Sequence, residues 1–160
     1  MNVEPEYIYS ATLIVLGDDL IPQKVTEVLE LEPSRSWHRG ERKSFVGKDG
    51  MPHYFDSVYE WGDWKRFIPD EKRDAALAEQ LEWWCDVLKG RESAMLELEA
   101  EGCWLGMDCF VGARESATLE VSAALQERLS RLRLNLSVCF SPDANYPTPK
   151  PNKRLERTRL

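Results

Sequence analysis

Histidine is scarce in this chain: His38 and His53 are the only two among 160 residues. A catalytic Ser or Cys needs a neighbouring base, and a zinc site needs several His, Cys or carboxylate ligands at defined spacing. His38 lies in a basic loop and His53 adjoins Pro52 in a turn region, so neither has the company that either chemistry requires. Asp18, Asp19 and Asp108 offer carboxylates, but adjacent aspartates after a strand read as helix caps. Glycine-rich phosphate loops are missing too, since GKDG and RG match neither a P-loop nor a dinucleotide fingerprint. The expectation is a protein that is not an enzyme and holds no metal or cofactor.

Long apolar runs are also lacking. None exceeds the four residues of Leu13–Leu16, against roughly 20 for a membrane-spanning helix. The first residues, MNVEPEYIY, are acidic where a secretory signal carries Lys or Arg, so a cytoplasmic location without membrane attachment is expected. Of the four cysteines, Cys85, Cys103, Cys109 and Cys139, none forms a CxxC pair. Cys103 and Cys109 fall six apart on one expected strand, about 20 Å at roughly 3.3 Å per residue, too far for a disulfide. With apolar neighbours, as in LEWWCDVL and LSVCF, all four read as buried free thiols.

Charge is abundant and unevenly placed. The chain carries 21 Lys+Arg against 28 Asp+Glu, a net −7. Residues 150–160 hold five basic side chains against Glu156, a local +4, which leaves −11 on residues 1–149. A body this acidic repels nucleic acid and attracts a basic protein partner. Residues 142–160, with four prolines and no hydrophobic periodicity, read as a flexible basic tail behind one domain over 1–141.

Hydrophobic patterning gives the order of elements. YIYSATLIVL (7–16) has the β-branched and aromatic content of a central strand. GDDL ends it, and Asp18 or Asp19 is placed to cap a helix IPQKVTEVLEL whose Ile21, Val25, Val28 and Leu29 share a face. SFVGKDGMPHYF is a hairpin turning between Gly47 and Gly50, and SVYEWGDW follows as a strand. After Asp70, Leu77, Leu81, Trp84, Cys85 and Leu88 recur at helical spacing; Gly90 interrupts the helix and Gly102 ends it. CWLGMDCFV alternates, ATLEVS reads as a short strand, SAALQERLSRL as a helix capped by Ser122, and LNLSVCF as a strand with Leu134, Leu136, Val138 and Phe140 inward. The spacing predicts an α+β fold, a mostly antiparallel sheet with helices packed on one face, consistent with a ferredoxin-like core.

The stretch YSATLIVLGDDLIPQKVTEVLELEPSRSWHRGERK resembles the N-terminal signature of a bacterial family known only as domain of unknown function 4279, through Gly17, Asp18, Thr26, Leu31, Pro33, Ser34, Gly40 and Glu41. The aromatic strand at Trp61 and the closing helix and strand are similar as well, over residues 7–141. The resemblance implies an α+β fold and no assigned activity. Because some members neighbour toxin systems, it also implies an immunity-type role.

Two regions are candidate contact sites. EPSRSWHRGERK sets Arg35, Arg39, Arg42 and Lys43 around Trp37 and His38, a cluster suited to an anion or small-molecule ligand, or else a plain connecting loop. Trp61, Trp64 and Trp83, near Asp63, Glu79, Glu82 and Asp86, have the composition of a protein interface. The leading expectation is a protein-binding domain, of the immunity type if its acidic surface covers a basic toxin. The alternative is an anion or small-molecule binder, or an unrecognised enzyme, centred on Arg35, Trp37, His38, Arg39 and Arg42.

Overall fold

β1 (Ile8–Gly17) is the central strand of a five-stranded sheet, and its apolar run makes it so: Ala11, Leu13 and Val15 are wholly buried on one face. The computed structural model describes residues 8–113 and 117–142 of the chain. Its further elements are α1 (Pro22–Leu29), β2 (Arg35–Trp37), β3 (Arg42–Val46), β4 (Pro52–Val58), β5 (Gly62–Arg66), a 3-10 turn (Asp70–Lys72), α2 (Leu77–Val87), α3 (Glu92–Ala100), β6 (Trp104–Ala113), α4 (Ala123–Arg131) and β7 (Asn135–Pro142). The main sheet runs β2-β5-β1-β6-β7, antiparallel except for the parallel β6 and β7, while β3 and β4 form a separate two-stranded sheet. This is the α+β fold with a mostly antiparallel sheet that the patterning implies. A ferredoxin-like core is not formed, because β6 and β7, joined through α4, are direct neighbours with no strand between them.

The core lies on the face carrying Leu13, Val15, Trp64, Leu105, Met107 and Cys109, where α1 brings Val25 and Leu29, and α2 brings Leu77, Leu81, Trp84, Cys85 and Leu88. α2 does more than cover apolar surface. β5 pairs with β1 only from Leu13 to Gly17, so the first half of β1 has no strand on that side. Side chains of α2 replace the missing strand: Gln80 Oε1 accepts from the Ala11 N–H at 2.9 Å, and Trp84 Nε1 donates to the Ala11 carbonyl at 2.8 Å. Gln80 is fully buried, and its amide nitrogen donates to the carbonyl of Ala75. A buried backbone N–H without a partner costs about 1–3 kcal/mol, so this glutamine is a structural necessity.

Several local expectations are corrected. Asp18 and Asp19 do not cap α1; its N-cap is Ile21, followed by Pro22 at the first helical position, and Ile21 is exposed rather than on the core face. Pro22 has no N–H to satisfy, and the Lys24 N–H two residues on donates to the Ile21 carbonyl at 3.0 Å rather than to an aspartate. SVYEWGDW is not one strand, since β4 ends at Val58 and β5 begins at Gly62 in a different sheet. Residues 117–122 form no strand, while Ser122 caps α4 as expected, its hydroxyl accepting from Leu125 N–H at 3.2 Å. Leu134, just before β7, is buried; Leu136, Val138 and Phe140 on it are exposed, β7 being the edge of the sheet. Cys139 is exposed too and Cys103 half-buried, leaving Cys85 and Cys109 as the buried thiols. The tail beyond Pro142 lies outside the described residues. No helix among those described is long and apolar enough to cross a membrane.

Candidate functional site

The quoted basic loop proves to be the root of a projecting arm. β2 places Arg35 and Trp37 on the edge of the main sheet, Gly40 turns the chain with φ 85°, and β3 and β4 then run out as a hairpin. The root is fastened by Tyr59, whose ring stacks on Trp37 with centroids 4.1 Å apart, and by Arg35, whose Nη2 donates to the Ser44 carbonyl at 2.8 Å and to Tyr59 Oη at 3.1 Å. Arg35 and Lys65 lie 5.0 and 5.2 Å from the Trp37 ring centroid. Arg42 is spent within the hairpin, with Nε donating to the Phe55 carbonyl and Nη2 to Asp56, while its guanidinium covers the Tyr54 ring. His38 and Arg39 are exposed in the turn, where the His38 N–H donates to Glu41 Oε1. The loop thus gathers Arg35 and Trp37, and leaves His38, Arg39 and Arg42 apart from them.

Beyond its root the hairpin is exposed on both faces. All seven residues of β4 are exposed. Phe45 stacks on His53 and tilts against Phe55 on one face, with Tyr54 and Val46 on the other. Phe45, Val46, Met51, Tyr54, Phe55 and Val58 are each 47–72% exposed. Charged pairs do not account for this surface. An isolated two-stranded hairpin is marginal in water, and large apolar side chains on both of its faces have no core to enter.

The tryptophans divide differently from the expected patch. Trp64 is fully buried, its Nε1 donating to Thr26 of α1 at 3.1 Å, so it takes no part in a surface. It alternates with Asp63 along β5, which lies between β1 and β2, and both sides of that strand are covered. Trp83 is half-buried and meets Trp84 edge-on. Trp61 is 46% exposed and stands apart from both, at the end of the sheet. Asp63 is likewise no steering charge. It is only 2% exposed, one carboxylate oxygen meets Lys65 Nζ at 3.3 Å, and the other has no hydrogen bond. Burial pushes its carboxyl up from the ordinary 3.8, outweighing the opposing pull of Lys65 and Arg35, and Asp108 adds to the rise. Burial also raises the thiols of Cys85, Cys103 and Cys109, the last to about 12, which leaves it inert. Among the described residues no group of three His, Cys, Asp or Glu side chains gathers to hold a metal ion.

Two clefts open on the surface of the described residues. One of about 570 Å³ lies under β7, lined by Leu129, Arg133, Leu134 and Leu136 among others. The second, about 650 Å³, opens at the head of β1 between Trp61 and Trp104, with Asp18, Asp19, Lys24 and Glu101 at its rim. Sequence reading missed Trp104 and the apolar residues of the hairpin. The hairpin did carry a visible signal, because apolar residues at successive positions, Phe45-Val46 and Tyr54-Phe55, cannot all face one core in a strand of period two.

Four of the signature residues have structural uses in this geometry. Thr26 accepts from Trp64, Ser34 Oγ accepts from the Phe67 N–H at 2.9 Å, Glu41 closes the turn on His38, and Gly40 supplies a left-handed residue. Fold and surface together define an α+β domain with one face of its sheet under helices and a free arm at its edge. The chain belongs to the family described as a domain of unknown function (DUF4279), whose profile matches residues 6–142. No curated protein and no solved structure matches this chain.

Proposed function

We propose that this domain binds another protein, and that the β3–β4 hairpin is its contact element. One observation carries the reading: six large apolar side chains on the hairpin are 47–72% exposed on two faces. Aromatic and aliphatic anchors of this kind supply most of the energy at protein interfaces, where surrounding charge mainly steers encounter. The net −11 over residues 1–149 favours a basic partner. An immunity-type protein that covers a basic toxin is the finer form of this reading. An anion site at the loop is less favoured, because Arg35 and Arg42 already donate inside the arm.

The test is affinity capture from the cells that make the protein, at low salt, with the wild-type chain beside a Phe45→Ser/Phe55→Ser variant. A protein held by the wild type, released by raised salt and not held by the variant is the expected result. Identical captures by the two chains, or none by either, would refute the reading.

A further inference from the structure

The cleft at the head of β1 is shaped by three glycines. A Cβ at Gly106 would collide with the Trp104 ring, so the indole lies across the β6 backbone only because residue 106 has no side chain. A Cβ at Gly62 would come within 2.7 Å of the Leu20 carbonyl oxygen, and one at Gly17 within 3.3 Å of Leu20 Cβ. Those two positions let the turn after β1 press Leu20 onto the sheet, where it lines the cleft. Trp104, 39% exposed, and Trp61, 46% exposed, present indole surface to the space of about 650 Å³ between them.

Charge selects the occupant. The lining carries three carboxylates, Asp18, Asp19 and Glu101, against one ammonium, Lys24. Lys24 is held by Glu101, with Glu97 at 3.9 Å, and the Glu101 contact raises its pKa. Asp18 and Asp19 are exposed and have no side-chain hydrogen bond or ion pair among the described residues. Neither caps α1. An anion placed here meets two uncompensated negative charges. A cation meets them beside the indole surface of Trp61 and Trp104, and carboxylates with aromatic surface recognise guanidinium and alkylammonium groups.

We propose that this cleft is a binding site for an organic cation, an alkyl guanidinium or primary ammonium, with its stem against Trp61 and Trp104 and its head on Asp18 and Asp19. Gly106 is a positioning residue for Trp104. The site does not depend on the hairpin. The same chemistry comes either as an Arg or Lys side chain of a protein or as a free alkylamine.

The experiment titrates the full chain with n-butylguanidinium and, separately, with the capped peptide acetyl-Gly-Arg-Gly-amide, following the indole N–H resonances by NMR. The citrulline peptide is the neutral control. Saturable shifts at Trp61 and Trp104, millimolar dissociation constants and no response to citrulline are expected, with about tenfold weakening in Asp18→Asn/Asp19→Asn, whose changes are exposed and leave the core intact. Gly106→Ala should move the Trp104 resonance in the free protein and weaken both cations about threefold with no change of charge. Near-equal affinity for the two probes assigns the natural cation to free amines, and a preference of about tenfold or more for the peptide assigns it to a protein side chain. Shifts that do not saturate, an equal response to citrulline, or unchanged affinity in the double Asn variant would overturn the proposal.

Discussion

Around Ala11, on the helix-covered side of the sheet, both backbone groups of one residue are met by α2 side chains 69 and 73 positions away. In the β3–β4 hairpin the reverse holds: polar groups pair locally along the arm, and the apolar side chains are left in water. The first region is committed to the chain's own fold, and nothing in it is available to a partner. The second contributes little to that fold and keeps its apolar surface in reserve. Stability and the proposed recognition therefore rest on separate regions, and substitutions in the two should act on different measurements.

The sharpest break in the contrast is Gln80→Leu. It leaves the Ala11 N–H buried without an acceptor, and a loss of about 2–4 kcal/mol in unfolding free energy by urea titration is expected. A loss under about 1 kcal/mol would mean that α2 does not complete the strand. Next in size is an edge position: Val138→Thr on β7 exchanges one methyl for a hydroxyl on a side chain that is 43% exposed, and should cost roughly 0.5–1 kcal/mol. Asp63→Asn gives a smaller effect with a definite sign. The buried carboxyl titrates above its unfolded value, so its contribution is fully present below about 3.9 and is lost as pH rises through the higher folded value. The stability difference between Asp63→Asn and wild type should therefore move in the variant's favour between pH 4 and neutrality, read as urea midpoints across pH. Arg35, Lys65 and Asp108 face this group and are unchanged in both proteins. The smallest change is expected for Phe45→Ser/Phe55→Ser, within about 0.5 kcal/mol of wild type for each substitution, since both rings are about half exposed already. A loss of several kcal/mol there would show the arm to be part of the core.

The fold was legible where one period governs a long segment. β1, the apolar faces of α2 and β6, and the Ser122 cap follow from spacing alone, as does the α+β class. Gln80 was not legible, because its neighbours signal only a helix, and its burial depends on where β5 stops along β1. Asp63 and Trp64 looked like surface residues in a charged, aromatic stretch. They are buried because β5 sits second from the sheet edge, a placement no local pattern encodes. Leu136, Val138 and Phe140 fit an inward face by alternation, but alternation cannot report that the last strand lies at the edge of the sheet. In the candidate site, the basic loop was found as a cluster but its use was not. Arg35 and Trp37 fasten the arm, whereas Trp104 depends on Gly106 to make room for its ring.

Amide hydrogen exchange on the free protein tests the separation of arm and body most directly. The hairpin amides of residues 42–58 should exchange through openings far cheaper than global unfolding, while those of β1 and β6 exchange only at the full unfolding free energy measured in urea. Hairpin protection equal to that of β1 would show that the arm is bound into the body and would contradict its role as a free contact element.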